Sequence, residues 1–422
     1  MRLIYDLGFL IFGIFSLPHF LKRIGQADEK GRLLRERFGF FPSRSFSGGQ
    51  PLWIHCVSVG ETLAAEKLIR LILEDRNQSV VLTTVTPTGQ RIAKQWEGER
   101  LKVFYFPFDV RFAVRRFFEA VQPKALLLVE TEIWPNVIEE AKRREIPVFV
   151  VNGRLSERSF KAFRRFSFIF KPLLSSIHSF LVQTTEDEKR LLLLGVDPEK
   201  IQVTGNMKLD LFELNGQWQK DRTHLRSQWG FHDSDQILIG GSTHEGEEEI
   251  LFNALDRLRE ERFPLKLILA PRHVERSERI LKLGKIHGFK TVRATHFQPH
   301  DDFDVLILDR LGELRKLYAV ADAVFVGGSL IRHGGQNPIE PAASRRAIIH
   351  GPWVFNFEEI YRRLDEEGAS IRINGEEELV FVLKRLLASD REREYLGTQA
   401  HDTLLKLQGA TERNFRKLEG KL

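Results

Sequence analysis

Five side chains stand where a strand should hand over to a helix, and their types suit taking a proton and meeting a phosphate. Glu61 follows the apolar run 52–59 and Gly60, and leads into Thr62-Leu63-Ala64-Ala65-Glu66-Lys67-Leu68-Ile69, which restarts with helical spacing. Ligands of open α/β sheets bind beyond the carboxyl ends of the strands. Gly60 would let a ligand approach the backbone there, with Glu61 at the rim on the first helical turn. A carboxylate so placed can take a proton from a hydroxyl; its plainer role is to complement the helix dipole. Glu130-Thr131-Glu132-Ile133-Trp134-Pro135 ends another buried run with acids at i and i+2, on one side of a strand if the strand continues that far. Two such acids are costly to desolvate unless used or paired, although one can simply cap the helix around Pro135. Lys208, in Thr204-Gly205-Asn206-Met207-Lys208, can stabilise a departing phosphate or be an ordinary solvated lysine. Arg272, in Ala270-Pro271-Arg272-His273, is a cation ready for phosphate or carboxylate, with a surface arginine as the plainer role.

Two glycine-rich joins add to this. Gly240-Gly241-Ser242-Thr243-His244-Glu245-Gly246 suits a phosphate held by backbone N–H groups. The acids Glu247-Glu248-Glu249 weaken that reading unless they point outward. Val326-Gly327-Gly328-Ser329-Leu330 is followed by Gly334-Gly335-Gln336-Asn337-Pro338-Ile339-Glu340-Pro341, a strand opening into glycines and then a helix start with Glu340 in its first turn. Glycines clear space for a nucleotide, and a carboxylate there can accept ribose hydroxyls. Neither a G-x-x-x-x-G-K-[ST] loop nor a G-x-G-x-x-G after the first strand is present, which argues against a P-loop ATPase or a standard dinucleotide site. Asp302 and Asp304 precede a strand and read as loop, not as a metal pair.

These residues need elements to hold them. Between residues 50 and 210 apolar runs at 52–59, 80–84, 103–106, 125–130, 147–151, 179–182 and 201–203 alternate with helical patterns at 91–96, 110–120 and 134–144, the rhythm of βαβ units on a parallel sheet. Thr86-Pro87-Thr88-Gly89 supplies a capping hydroxyl and an early proline for one helix. The polar interval 215–230 reads as a linker. The rhythm then resumes with strands at 236–240, 265–269, 290–292, 305–308, 323–326 and 347–349, and helices at 247–259 and 313–320. The expected architecture is α/β, with two Rossmann-like doubly wound domains (23–214 and 231–389) facing a cleft, and a charged helical segment, 390–422, packing back across both.

Residues 1–20 are the most apolar part, with a core shorter than the roughly 20 residues that comfortably span a bilayer. Lys22, Arg23, Lys30, Arg32, Arg35, Arg37 and Arg44 follow, a collar that should stay on the cytoplasmic face against anionic headgroups. The expectation is a membrane anchor at 1–22; the alternative is a buried helix. The interleaved Phe160–Lys171 stretch reads either as membrane contact or as a core helix with solvated cations. A single cysteine, Cys56, excludes a disulfide framework and a cysteine-based zinc site. With 64 basic against 58 acidic residues, the charge favours an anionic substrate or lipid surface over a dedicated nucleic-acid groove.

Taken together, Ser58-Val59-Gly60-Glu61, Thr86-Pro87-Thr88-Gly89, Glu130-Thr131-Glu132-Ile133-Trp134-Pro135, Asn152-Gly153-Arg154-Leu155-Ser156, Thr204-Gly205-Asn206-Met207-Lys208, Ser242-Thr243-His244-Glu245-Gly246-Glu247, Pro271-Arg272-His273, Leu311-Gly312-Glu313-Leu314, Phe325-Val326-Gly327-Gly328-Ser329-Leu330 and Asn337-Pro338-Ile339-Glu340 resemble the 3-deoxy-D-manno-octulosonic acid (Kdo) transferase family, in order along nearly the whole chain. The resemblance implies a GT-B fold, an inner-membrane anchor with the catalytic body on the cytoplasmic side, and transfer of Kdo from CMP-Kdo to the lipid A precursor of lipopolysaccharide. By the same resemblance Glu61 matches the general base, and Glu130 and Lys208 match positions that stabilise the transition state. Pro271, Arg272, Leu311, Gly312, Glu313, Asn337, Pro338, Ile339 and Glu340 match the CMP-contacting positions. Gln336 departs from the family's usual histidine, and Arg310-Leu311 from its usual lead into Gly-Glu-Leu. An inverting single displacement needs one base, and Lys208 and Arg272 would balance the leaving phosphate, so neither a cofactor nor an obligatory metal is expected. A nucleotide-sugar epimerase of the same fold and a non-catalytic nucleotide sensor are the alternatives.

Overall fold

The computed structural model describes residues 30–41, 49–76, 78–212, 218–232, 234–298, 301–419 and 421. The expected anchor at 1–22 lies outside these residues; among the described residues, no helix is long and apolar enough to cross a membrane. The chain divides into two compact units. One comprises the described residues up to Leu211 joined by Gln408–Leu422, and the other Phe212–Leu407.

In the first unit, seven parallel strands run β1 Leu52–Cys56, β2 Val80–Thr84, β3 Leu101–Tyr105, β4 Ala125–Val129, β5 Val148–Gly153, β6 Ser179–Val182 and β7 Ile201–Val203. Their order across the sheet is β3-β2-β1-β4-β5-β6-β7. Helices cover both faces, so the strands are near-continuous apolar runs. In β1, Leu52, Ile54 and Cys56 join one buried cluster while Trp53 joins the cluster on the opposite face. Local signals place the helices: Thr86 accepts a hydrogen bond from the Gly89 N–H with Pro87 in the first turn, and Thr184 and Asp187 form a reciprocal capping box.

In the second unit the strands are β8 Gln236–Thr243, β9 Leu265–Pro271, β10 Thr291–Arg293, β11 Val305–Ile307, β12 Ala323–Val326, β13 Ala347–His350 and β14 Ser370–Arg372. They also form a parallel sheet, ordered β10-β11-β9-β8-β12-β13-β14. Strand order reverses between β1 and β4 in one sheet and between β8 and β12 in the other. Such reversals open a crevice at the strands' carboxyl ends.

Several expectations are corrected. The first strand stops at Cys56, because the Val59–Arg76 helix begins with the glycine and Glu61 already in its first turn. The strand before Glu130 ends at Val129, and Glu130 itself adopts φ +60°, so the alternation of side chains does not extend to Glu132. The polar interval 215–230 contains a helix, Trp218–Gln228, whose Arg222 and Arg226 donate to the Ala321 and Val320 carbonyls. Its polarity reflects anchoring by arginines and not a lack of structure. The short β14 was absent from the expected strands; its burial is partial, which leaves a weak pattern. The charged C-terminal stretch is helical, as expected, with Asp390–Leu407 in the second unit and Ala410–Glu419 in the first. Finally, the Phe160–Lys171 stretch is broken at Phe166. Phe160, Phe163 and Phe170 pack on the core, while Phe166 and Phe168 are exposed.

Candidate active site

Beyond the β1/β4 reversal of the first unit, three carboxylates and one ammonium gather. Glu61 is buried at 5 % exposure, and its carboxylate turns back onto the end of β1. Its Oε2 accepts the Val57 N–H at 2.6 Å, and its Oε1 accepts the Ser58 hydroxyl at 2.7 Å. A carboxylate offers about four acceptor sites, so each oxygen keeps capacity for another proton donor. Burial pushes the Glu61 carboxyl above its ordinary range. The Val57 and Ser58 hydrogen bonds oppose that rise, the Glu130 charge adds to it, and Lys208 opposes it.

Glu130 and Lys208 meet directly, Nζ to Oε1, at 2.6 Å. A Cβ built on Gly60 would lie 3.9 Å from the Lys208 ammonium, which places that cation beside the turn bearing Glu61. Glu132 completes the group. Its carboxyl is pushed up to about 7 by burial, with the charges of Glu61 and Glu130 adding to the rise.

The Lys208 loop is held from two sides. Asn152, at φ +53°, accepts the Met207 N–H on its Oδ1 at 2.9 Å. From the C-terminal helix, the Arg413 guanidinium donates to the Thr204 carbonyl at 2.8 Å and the Asn414 amide to the Thr204 hydroxyl at 3.0 Å. Asp210 accepts the N–H groups of Gly409 and Thr411, both at 2.7 Å. Gly205 takes φ +91°, a conformation that favours glycine, and lies close under the Arg413 guanidinium.

The second unit gathers its own group beyond the β8/β12 reversal. Pro271 closes β9, and the Arg272 N–H donates to the Thr243 carbonyl at 3.0 Å. The Arg272 side chain is exposed. His244 is nearly buried, its ring centroid 4.0 Å from that of His333 with the planes tilted by 43°, and it is pushed down to about 4 by burial, with His333, His273, Arg276 and Arg272 adding positive charge. The neutral ring accepts from the Gln336 amide, Nε2 to Nε2 at 3.1 Å, so the proton rests on Nδ1. Gln336, the departure from the resembled pattern, thus fits its surroundings.

Leu311, Gly312 and Glu313 form the turn after β11. Leu311 is exposed, Gly312 takes φ +89°, and Glu313 lies 3.6 Å from Arg310 while its Oε2 is buried with no hydrogen-bond partner among the described residues. An unmet acceptor of that kind suits a donor hydrogen of a ligand. The Asn337 side chain accepts the Ile339 N–H and, with Pro338, starts the short Ile339–Ala343 helix. Glu340 stands in its first turn; burial raises its carboxyl, against the pull of Arg315. Arg315 follows two residues after Glu313, so these two acids belong to neighbouring parts of one edge.

The expected phosphate cradle at Gly240–Gly246 is corrected. Glu247 and Glu248 point inward, at 0 % and 2 % exposure. Glu247 accepts the N–H groups of His244 and Gly328 on one oxygen, and those of Ser329 and Leu330 on the other, between 2.7 and 3.1 Å. The His244 N–H of that stretch, and three N–H groups of the loop after β12, are therefore already bonded to this carboxylate. Glu248 forms a two-pronged pair with Arg276. Glu247 joins the ends of β8 and β12, a role hidden in the sequence because three successive acids at a helix start read as dipole complements. Ser58 and Asn152 were similarly hidden; their partners lie in turns that spacing does not reveal. The Asp302/Asp304 pair serves Lys290.

Comparison with known proteins adds a family to this geometry. The family model described as 3-deoxy-D-manno-octulosonic-acid transferase (kdotransferase) matches residues 32–211. The 3-deoxy-D-manno-octulosonic acid transferase of Haemophilus influenzae is 37% identical over 383 residues, covering 90% of this chain and 89% of that protein. That of Chlamydophila psittaci is 33% identical over 398 residues, covering 92% and 89%. Among solved structures, a glycosyltransferase from Rickettsia africae superimposes with a TM-score of 0.60 over 89% of this chain and 98% of its own, at 11% identity. UDP-GlcNAc 2-epimerase from Neisseria meningitidis gives 0.57 over 88% and 98%, also at 11%. At that identity the likeness speaks for a GT-B-like fold alone, and the epimerase match carries no activity. Sequence relatedness over nine-tenths of the length decides the matter: the chain belongs to the 3-deoxy-D-manno-octulosonic acid (Kdo) transferase family.

Proposed function

We propose that the chain moves Kdo from CMP-Kdo to the lipid A precursor lipid IVA in lipopolysaccharide core biosynthesis, by an inverting single displacement with Glu61 as base. The observation that carries this reading is the state of Glu61: a buried carboxylate, oriented by Val57 and Ser58, with its carboxyl raised and an ion pair beside it. A base works best when its pKa approaches the working pH while it remains ionised. Glu61 takes the proton of the acceptor sugar hydroxyl as that oxygen attacks the anomeric carbon of Kdo. The bond from that carbon to the CMP phosphate breaks on the opposite face, and CMP leaves with the electron pair.

Positive charge must meet the sugar's carboxylate and the phosphate. Lys208 has three donors, of which Glu130 takes one, and the others face the charge that develops in the transition state. Glu130 fixes the ammonium in place. In the second unit, Arg272 meets the phosphate, and Pro271, Leu311, Gly312, Glu313, Asn337, Pro338, Ile339 and Glu340 hold the nucleotide. Glu313 and Glu340 accept hydroxyl or amino hydrogens. This scheme calls for no obligatory metal.

The reaction belongs at the cytoplasmic face of the inner membrane, with 1–22 as anchor. Exposed aromatics support this: Phe38 and Phe40 directly follow the described N-terminal helix, Phe112 stacks 6.4 Å from Phe38, and the Arg116 guanidinium lies 4.5 Å over the Phe40 ring. Aromatic and cationic groups together suit the headgroup layer. Incubation with CMP-Kdo and lipid IVA, followed by mass analysis of the lipid, tests the reading. Transfer gives a lipid heavier by Kdo; an epimerase alters the sugar nucleotide and leaves the lipid mass unchanged; a sensor changes neither.

A further inference from the structure

At the opposite, amino-terminal end of the second sheet lies a cavity of 780 Å³. Its wall is made where β8, β12 and β13 begin, between the helices Trp218–Gln228 and Asp390–Leu407. Five arginines line it: Arg222, Arg226, Arg345, Arg346 and Arg393. Among the described residues the buried carboxylate at its centre is Asp322, which lies 2.8 Å from Arg222, 3.8 Å from Arg226 and 3.9 Å from Arg393, and accepts the Ile237 N–H at 2.8 Å. Asp235, Asp390 and Glu394 also line it. Asp235 accepts the His232 N–H and stands 3.8 Å from Lys266, while Asp390 and Glu394 are exposed, Asp390 pairing with Arg393.

Arg345 stands apart from its neighbours. Its backbone holds φ +54°, a conformation a long side chain rarely adopts. The Asp390–Leu407 helix passes close behind it: a Cβ at Gly397 would come within 2.1 Å of the Arg345 carbonyl. Yet its guanidinium makes no hydrogen bond or ion pair with a described residue. Next to it, Arg346 donates to the carbonyls of Ser344 and Ala321, and is pushed down to about 9 by burial, with Arg222 and Arg226 repelling its charge and Asp322 opposing that effect. The cavity is thus concave, sized for a small ligand, and rich in guanidinium, the group that matches phosphate oxygens two at a time.

We propose that this cavity is a second anion site, which takes a small ligand of the diphosphate class at the end of the sheet away from the nucleotide-contacting residues. A diphosphate offers these arginines more negative charge and more acceptor oxygens than a single phosphate. The inference does not depend on the donor or acceptor assigned above.

Calorimetric titration of the full chain with inorganic pyrophosphate, at about 0.15 M salt to suppress diffuse attraction, tests it. One pyrophosphate per chain is expected to bind at this cavity, more tightly than orthophosphate. Arg345→Gln should weaken it about tenfold, the loss of one two-pronged contact, with Arg345→Lys between. Thr398→Asp, which adds a negative charge to the same wall, should weaken it as well. Arg272→Ala at the other end should leave it unchanged. Absence of saturable binding, an unaltered affinity in both Arg345→Gln and Thr398→Asp, or loss of binding in Arg272→Ala would each overturn the proposal.

Discussion

The ammonium of Lys208 lies 2.6 Å from Glu130 Oε1, joining two strand ends separated by 78 residues of chain. The pair is half-buried, so it is neither a screened surface contact nor a sealed core pair. It fixes a cation beside the turn that carries Glu61. If the two act as one device, Lys208→Met and Glu130→Gln should each lower kcat, Lys208→Met by about 10²–10³. The double variant should then cost little more than the worse single one. Steady-state transfer assays on the three variants measure this, and additive losses would show that the residues work separately.

Glu132 gives a stability signature with a definite sign. Its carboxyl is raised to about 7 in the folded chain by burial, so folding favours the protonated form. That contribution is present in full below the unfolded carboxyl's range and is lost as pH rises through about 7. Glu132→Gln should therefore match the wild type near pH 4.5 and exceed it at pH 8, by on the order of 1–3 kcal/mol. Thermal unfolding at both pH values reads the difference. An equal or lower Tm for the variant at pH 8 would contradict the assignment.

The sheets were legible because parallel strands covered on both faces are continuous apolar runs with punctuation between them. β2, β6, β7 and β12 lie where their runs predict. Glu61 was legible for a related reason: a strand, a glycine and a helix start within a few residues leave a carboxylate few other places. Pairings were not legible. That Glu130 takes Lys208, that Asn152 carries the loop before Lys208, and that Glu247 turns inward all depend on neighbours distant in sequence. The helix at Trp218–Gln228 was hidden because its apolar stripe is poor and arginine bonds to carbonyls stand in for it.

Glu247 holds four backbone N–H groups with one buried carboxylate. Glu247→Gln replaces one acceptor oxygen by a donor that faces other donors. The expected cost is about 2–4 kcal/mol, read as a lower unfolding midpoint. The glycine loop it shapes should also lose its preformed geometry, so CMP affinity should fall with it. A variant with unchanged CMP binding would separate this loop from the nucleotide.

Removing residues 408–422 takes away the helix that secures Thr204 and Asp210. It also uncovers apolar surface at Ala410 and Leu418, both buried against the first unit's core. The truncated chain should lose transfer activity while CMP binding, assigned to the other unit, persists. Transfer at the wild-type rate would show that the Lys208 loop holds its shape without this support.

The central claim is that Glu61 removes the acceptor's proton. Single-turnover transfer from CMP-Kdo to lipid IVA, with CMP affinity measured on the same samples, tests it for wild type and Glu61→Gln. Wild type should yield the heavier lipid, with activity failing on the acid side at a pH above the ordinary carboxylate range, since burial raises this carboxyl. Glu61→Gln should lose about 10²–10⁴ in rate and bind CMP as before. Transfer at an undiminished rate in Glu61→Gln would contradict the account.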